Sequence, residues 1–245
     1  MSEPLLRDFR ARWLSGALPM VIEHSAGAPE RICASPSLWM GGKRVAELLR
    51  EAGLGEGHRV GYSGQSKIAW VQTFVGCLRA GACFTPATSI AGAEEEGVSA
   101  FFDEQLELIP KRSATSADGG RIRFSDGSSL SNEDLSAIWQ ELPSIMDPSH
   151  ERLGATGDWG SDFRLFAIEL LGGLRQGLEI HIYGTDVAAA DVAAKGCLPH
   201  LLVGPHWNSQ DLGFQAQVTQ RIELRHSNAP RQQLQSHCVS GLLRD

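Results

Sequence analysis

Between residues 59 and 86 the chain reads RVGYSGQSKIAWVQTFVGCLRAGACFTP: a short apolar run, a helix-period segment, and a second short apolar run. In the middle segment Ile68, Val71, Phe74, Val75 and Leu78 fall on one face at the helical period. Gly81 stands where a left-handed cap ends a helix. Ala82, Cys83 and Phe84 then read as the next buried strand, stopped by Pro86. A short apolar strand on either side of a helix is a β-α-β unit, which implies a parallel sheet covered by helices.

The rest of the chain continues this alternation. Residues 5–18 read as a helix with Leu6, Phe9, Trp13 and Leu14 on one side. Val21-Ile22 and residues 31–34 read as short strands around a Gly/Pro turn, and 37–52 as a helix with Leu38, Val45, Leu48 and Leu49 as its apolar stripe. Residues 91–97 are small and acidic and read as a loop before a short helix, with Glu94, Glu95 and Glu96 in solvent. Residues 106–110 read as a strand. The stretch 111–120, KRSATSADGG, is small, polar and without apolar periodicity, so it reads as a linker. It divides the chain into a first α/β subdomain, 1–115, and a second, 118–245. The second restarts with a strand at 121–124, a turn at Ser125-Asp126-Gly127, and a helix from Ser131. Ser131 as N-cap with Asp134 three residues on has the form of a capping box. A helix over 162–176, strands over 178–183, 198–203 and 221–226, and helices over 186–194 and 230–243 complete the reading. The expected fold is α/β, two Rossmann-like subdomains with predominantly parallel sheets.

Composition excludes several classes. The net charge of −7 argues against a general binder of nucleic acid or of an anionic membrane. No apolar run approaches the ~20 residues that span a bilayer, and the N-terminus lacks the apolar core of a signal peptide. Cys33, Cys77, Cys83, Cys197 and Cys238 are scattered, without a C-x-x-C pair. That fits a reducing cytoplasm and neither a disulfide framework nor a Cys-rich zinc site. Cys197, His200 and His206 match no standard metal spacing.

Two glycine patterns have local explanations. Gly61-Tyr62-Ser63-Gly64-Gln65, between a strand and a helix, is close to the G-x-S-x-G nucleophile elbow, with Gln65 in place of the last glycine. Asp162 and His206 or His226 would complete a hydrolase in the order Ser, Asp, His. The plainer reading is a strand-to-helix turn in which Ser63 or Ser66 caps the helix. Gly53, Gly55 and Gly57 follow a helix and precede a strand, the reverse of a dinucleotide fingerprint, and read as a tight turn.

Several stretches carry a family resemblance. LREAGLGEGHRV (49–60) and CLRAGACFTP (77–86) resemble the series that opens adenylate-forming, acyl-activating enzymes: a helix ending in L-x-x-x-G-[VL]-x-x-G-D-R-V, a strand, a helix, and L-R-A-G-A with a following proline. His58 stands where that family usually has Asp. FAIELLGGLRQGLEIHIYG (166–184), LPHLLVGPHW (198–207) and IELRHSNAP (222–230) resemble later helix and strand segments of the same N-terminal domain, in the same order. The resemblance is thus to a truncated, degenerate relative of that domain.

It also implies a missing chemistry. After the strand at 121–124 the family carries a Ser/Thr/Gly-rich loop ending in P-K-G, whose backbone N–H groups and lysine hold the ATP phosphates. Here Ser125, Asp126, Gly127, Ser128 and Ser129 form a shorter segment with one glycine and no lysine. Ser227, Asn228, Ala229 and Pro230 stand where the family has G-G-A-P. The sequence ends before the family's Y-G-x-T-E segment and its mobile C-terminal domain. The resemblance therefore implies no catalytic residue and no cofactor in this polypeptide. It implies a binding or regulatory module of the acyl-CoA synthetase type, a pseudoenzyme. The alternatives are an AMP-forming acyl or aryl-acid ligase completed by another chain and, third, the serine hydrolase. Asp162, Phe163, His206 and Trp207 are the residues placed nearest the family's acyl pocket; Trp207 also reads as simple packing. The expected partners are an acyl or aryl molecule, a carrier protein or partner enzyme, and a second copy or another subunit against the sheet edge at 221–226.

Overall fold

The computed structural model describes residues 4–15, 19–25, 27–86, 97–110, 120–125, 127–142, 151–155, 157–161, 163–183, 201–203 and 220–222. Their contacts form two units interleaved along the chain. One takes the chain up to Pro19, Cys33–Leu135 and Gly160–Phe163. The other takes Met20–Ile32, Ser136–Trp159 and the chain from Arg164 onward.

The first unit is built on the β-α-β element. Its sheet runs, in spatial order, β6 (Leu108–Pro110), β5 (Ala100–Phe102), β3 (Arg59–Tyr62), β4 (Cys83–Pro86), β7 (Ile122–Arg123) and β8 (Ser129–Leu130). The four central strands are parallel, and β6 and β8 pair antiparallel at the two edges. The crossover helix α3 (Lys67–Ala80) is capped by the Ser66 side chain, which accepts from the N–H of Ala69, and ends at Gly81 with φ +81°. Ten of its residues are buried, including Trp70, Phe74 and Leu78. Trp70 meets Phe84 of β4 edge to face at 4.8 Å. Burying such a side chain contributes about 1.5–3 kcal/mol, so this cluster anchors the sheet.

Helix α2 (Ser35–Glu51) lies against α3 at glycines. A Cβ on Gly76 would overlap Val45, and one on Gly42 would meet Val75 Cγ1 at 2.6 Å. Only glycine allows this backbone approach. Helix α1 (Pro4–Ser15) packs on α2, with Phe9 stacked on Trp13 at 4.9 Å and Trp13 edge-on to Trp39.

The second unit holds a sheet ordered β12 (Gln220–Ile222), β11 (Leu201–Val203), β9 (Arg152–Ala155), β10 (Glu179–Tyr183), β1 (Pro19–His24) and β2 (Arg31–Ala34). Its pairs from β12 through β1 are all parallel. A helix over 163–176, here α5, joins β9 to β10. It is α-helical at Phe163–Leu165 and Gly173–Gln176 and π-helical at Phe166–Gly172. Gly173 brings it onto the sheet: a Cβ there would meet Ile180 Cδ1 at 2.7 Å.

The α/β class with mostly parallel sheets is as the sequence predicts. The division is not at 111–120. β7, just beyond that stretch, returns to the first sheet, where the Phe84 N–H donates to Arg121 O at 2.9 Å. A low-complexity stretch does not say which sheet the chain rejoins after it. Nor does a short helix follow residue 97: Ala100, Phe101 and Phe102, all buried, form β5 beside β3, where backbone pairing in the sheet overrides local helical preference. The helices read over 186–194 and 230–243 lie outside the described residues.

Candidate functional site

The segment read as a degenerate phosphate loop is a closed β-hairpin. The Phe124 N–H donates to Ser128 O at 2.8 Å, and the Gly127 N–H to Phe124 O at 3.0 Å. The Ser125 N–H donates to Gly160 O at 3.0 Å. Gly127 takes φ +84°, the left-handed geometry this turn requires. Ser129 pairs with Arg123 in the ladder. A phosphate cradle needs several N–H groups converging on one open point; here those of residues 124, 125 and 127 are directed at protein carbonyls. Asp126 lies outside the described residues.

The next anion-binding feature of such a loop is the helix start that follows it. Helix α4 (Asn132–Glu141) begins with the capping box read from the sequence. The Asp134 N–H donates to Ser131 Oγ at 3.1 Å, and the Ser131 N–H to Asp134 Oδ2 at 2.8 Å. Glu133 and Asp134 place two carboxylates in the first turn. The helix's own acids therefore complement the positive end of its dipole, and an incoming phosphate meets like charge there.

Of the four residues assigned to an acyl pocket, Phe163 is described and half-buried, and its ring meets the Phe124 ring at 6.4 Å. The structure thus brings one predicted ligand residue beside the hairpin. Asp162, His206 and Trp207 lie outside the described residues, as do the cysteine and histidines weighed as metal ligands. Among the described residues no group of three or more His, Cys, Asp or Glu side chains is arranged to hold a metal ion.

The Ser63 turn takes its plainer reading. Ser66, and not Ser63, caps α3, and the Tyr62 hydroxyl donates to Ser66 O at 2.8 Å. The Gln65 N–H donates to the Glu104 carboxylate. An oxyanion hole would need turn N–H groups open to a developing negative charge, and a carboxylate beside them opposes it. His58, at the position where the resembled family has Asp, accepts the Gly55 N–H on Nδ1 at 3.3 Å and so serves the turn in the acid's place.

Two polar constellations escaped the sequence reading. Glu169 is fully buried in the π-helical part of α5; its Oε2 accepts the Trp159 indole N–H at 2.9 Å and the Gly157 N–H at 3.2 Å. The helical period pointed past it to Phe166, Leu170 and Leu174. The available signal was a single carboxylate inside the apolar run FAIELLGGL. The other constellation is His24 and His181, buried on adjacent strands with their ring nitrogens 2.9 Å apart. A histidine between Ile180 and Ile182, on the opposite face of the alternating strand EIHIY, was its only trace.

No family model and no curated protein matches the sequence. Solved structures do match. Fatty acyl-adenylate ligase from L. pneumophila, solved with acyl adenylate and pyrophosphate, is similar with a TM-score of 0.65 at 14% identity, over 89% of this chain and 49% of that one. IdnL1 gives 0.64 at 16% identity, over 83% and 50%. Fatty acid AMP ligase from Legionella pneumophila gives 0.62 at 15% identity, over 82% and 44%. The chain thus spans half or less of the length of these three proteins. At such identities the likeness is one of fold, and the chain has the α/β fold of the adenylate-forming ligases.

Proposed function

We propose that this polypeptide is a non-catalytic binding or regulatory module of the adenylate-forming type, in which the nucleotide-phosphate loop has become a closed hairpin. The observation that carries the reading is the direction of the Phe124, Ser125 and Gly127 N–H groups, each held by a protein carbonyl. The Ser131–Asp134 box at the start of α4 adds to it. Binding a triphosphate there would require breaking these bonds and bringing phosphate against two carboxylates. Calorimetry at millimolar ATP with magnesium is the test. The expected result is no measurable heat of binding, and a micromolar isotherm would overturn the reading.

A second reading is an AMP-forming acyl or aryl-acid ligase completed by another chain, supported by the likeness in fold to a fatty acid AMP ligase and a fatty acyl-adenylate ligase. Pyrophosphate release that appears only when a partner protein is added would select it. The ligand in the first reading is an acyl or aryl molecule near Phe163, or a carrier protein or partner enzyme. Self-association through the second sheet, where β12 is the terminal strand among the described residues, is part of the same proposal and is read by sedimentation. The proposed location is the cytoplasm. Cys33, Cys77 and Cys83 are free thiols, and no described helix is long and apolar enough to cross a membrane.

A further inference from the structure

His24 closes β1 and His181 lies in β10, on strands paired in parallel with Ile22 opposite His181 and His24 opposite Tyr183. Both imidazoles are about as buried as any core side chain, at 2% and 1% exposure. His24 Nε2 lies 2.9 Å from His181 Nδ1. The outer nitrogens each face a carboxylate: His24 Nδ1 lies 3.3 Å from Glu30 Oε1, and His181 Nε2 lies 3.4 Å from Glu179 Oε2. The two imidazole planes lie within 16° of each other and meet edge to edge through His24 Nε2 and His181 Nδ1, and His24 stacks on Tyr183 at 4.9 Å. The result is a chain of four side chains, Glu30–His24–His181–Glu179.

Counting protons along this chain gives its charge. An ionised carboxylate only accepts, so each outer nitrogen must carry a hydrogen. With neutral rings that places both hydrogens on the outside. The two inner nitrogens would then face one another at 2.9 Å, lone pair against lone pair. One further proton resolves this, making three on four nitrogens. We propose that His24 and His181 are a buried proton-binding site that holds one proton between two imidazoles, clamped by Glu30 and Glu179.

The surroundings fit a single positive charge. On β1, Glu23 is held by Arg31 at 3.2 Å. Glu30 comes from the β1–β2 turn, Glu179 and Tyr183 from β10, and Arg152 from β9. One imidazolium between two carboxylates leaves the chain one unit negative, with the Arg152 cation acting on it. A second proton is opposed: burial first, then the charges on His24 and Arg152, push the His181 pKa down to about 4, with Glu30 acting the other way. The pair therefore titrates as a unit, with one proton held through neutrality and a second entering only in acid.

The test is nitrogen-15 NMR of the histidine side chains in the full chain, from pH 3 to 10, with His24→Gln and His181→Gln used for assignment. At pH 7 the expected pattern is hydrogen on His24 Nδ1 and His181 Nε2 and a third proton shared between the inner nitrogens. Two neutral rings at pH 7 would overturn the proposal. So would a spectrum that changes on adding a chelator, because a metal ion would then occupy the place of the proton. Glu30→Gln supplies an amide that can donate to His24 Nδ1 and so removes the need for the extra proton. It should weaken proton binding by at least about tenfold; an unchanged titration refutes the clamp. The wild-type spectrum decides the question even if a variant fails to fold.

Discussion

Replacing Gly76 by alanine tests the α2–α3 contact, and its cost should depend on the residue opposite. The new methyl would overlap Val45 Cγ1 and Cβ and would lie 3.1 Å from Gly42 O. Val45 is fully buried and β-branched, with its χ1 confined by its own helix, so it cannot swing away. The helices must separate instead. Overpacking of this kind costs about 1–3 kcal/mol, and a clash with both a stiff side chain and a backbone oxygen belongs at the upper end. Alanine returns about 1 kcal/mol of helix propensity relative to glycine. Gly76→Ala should thus destabilise the protein by about 2 kcal/mol. In a Val45→Gly background the clashing Cγ1 and Cβ are both gone, leaving the approach to Gly42 O set against the helix-propensity gain, so the same change should be nearly neutral, within about 1 kcal/mol. The coupling is then about 2 kcal/mol, within the range for residues in contact. Urea denaturation of the four proteins measures it. Additivity within about 0.5 kcal/mol would show that the helices do not approach at these residues.

The other predictions concern the buried polar groups. His181 has its pKa lowered to about 4, so between the ordinary histidine value and pH 4 the unfolded chain takes up a proton that the folded chain refuses. Stability should therefore fall as the pH drops through that window, by up to roughly 3 kcal/mol, and His181→Gln should flatten the slope in urea melts. Equal slopes for the two proteins would refute it. Glu169→Ala leaves the Trp159 indole and Gly157 N–H groups without this acceptor and should cost about 2–4 kcal/mol, whereas Glu169→Gln keeps an acceptor and should stay within about 1 kcal/mol. Thermal melts followed by tryptophan fluorescence read both variants, and equal losses would remove the role assigned to the carboxylate.

What the sequence determined by itself is local. The α3 stripe, the Gly81 cap and the Ser131–Asp134 box involve residues no more than a few positions apart. Their geometry follows from the helical period and from N–H groups that must find acceptors. The β-α-β unit and the parallel class follow for the same reason, as does the shortness of the segment at 125–129. Only the tertiary structure decided that the Ser125 N–H of this segment ends on Gly160 O, far along the chain. Only the tertiary structure set β7 beside β4, brought Glu169 to Trp159, and joined His24 to His181 across 157 residues. Strand pairing obeys no sequence period: two residues become neighbours when their strands share a sheet, and the order of strands is settled by packing the whole chain. The proton site belongs to that second kind, since each histidine meets the other only through the pairing of β1 with β10.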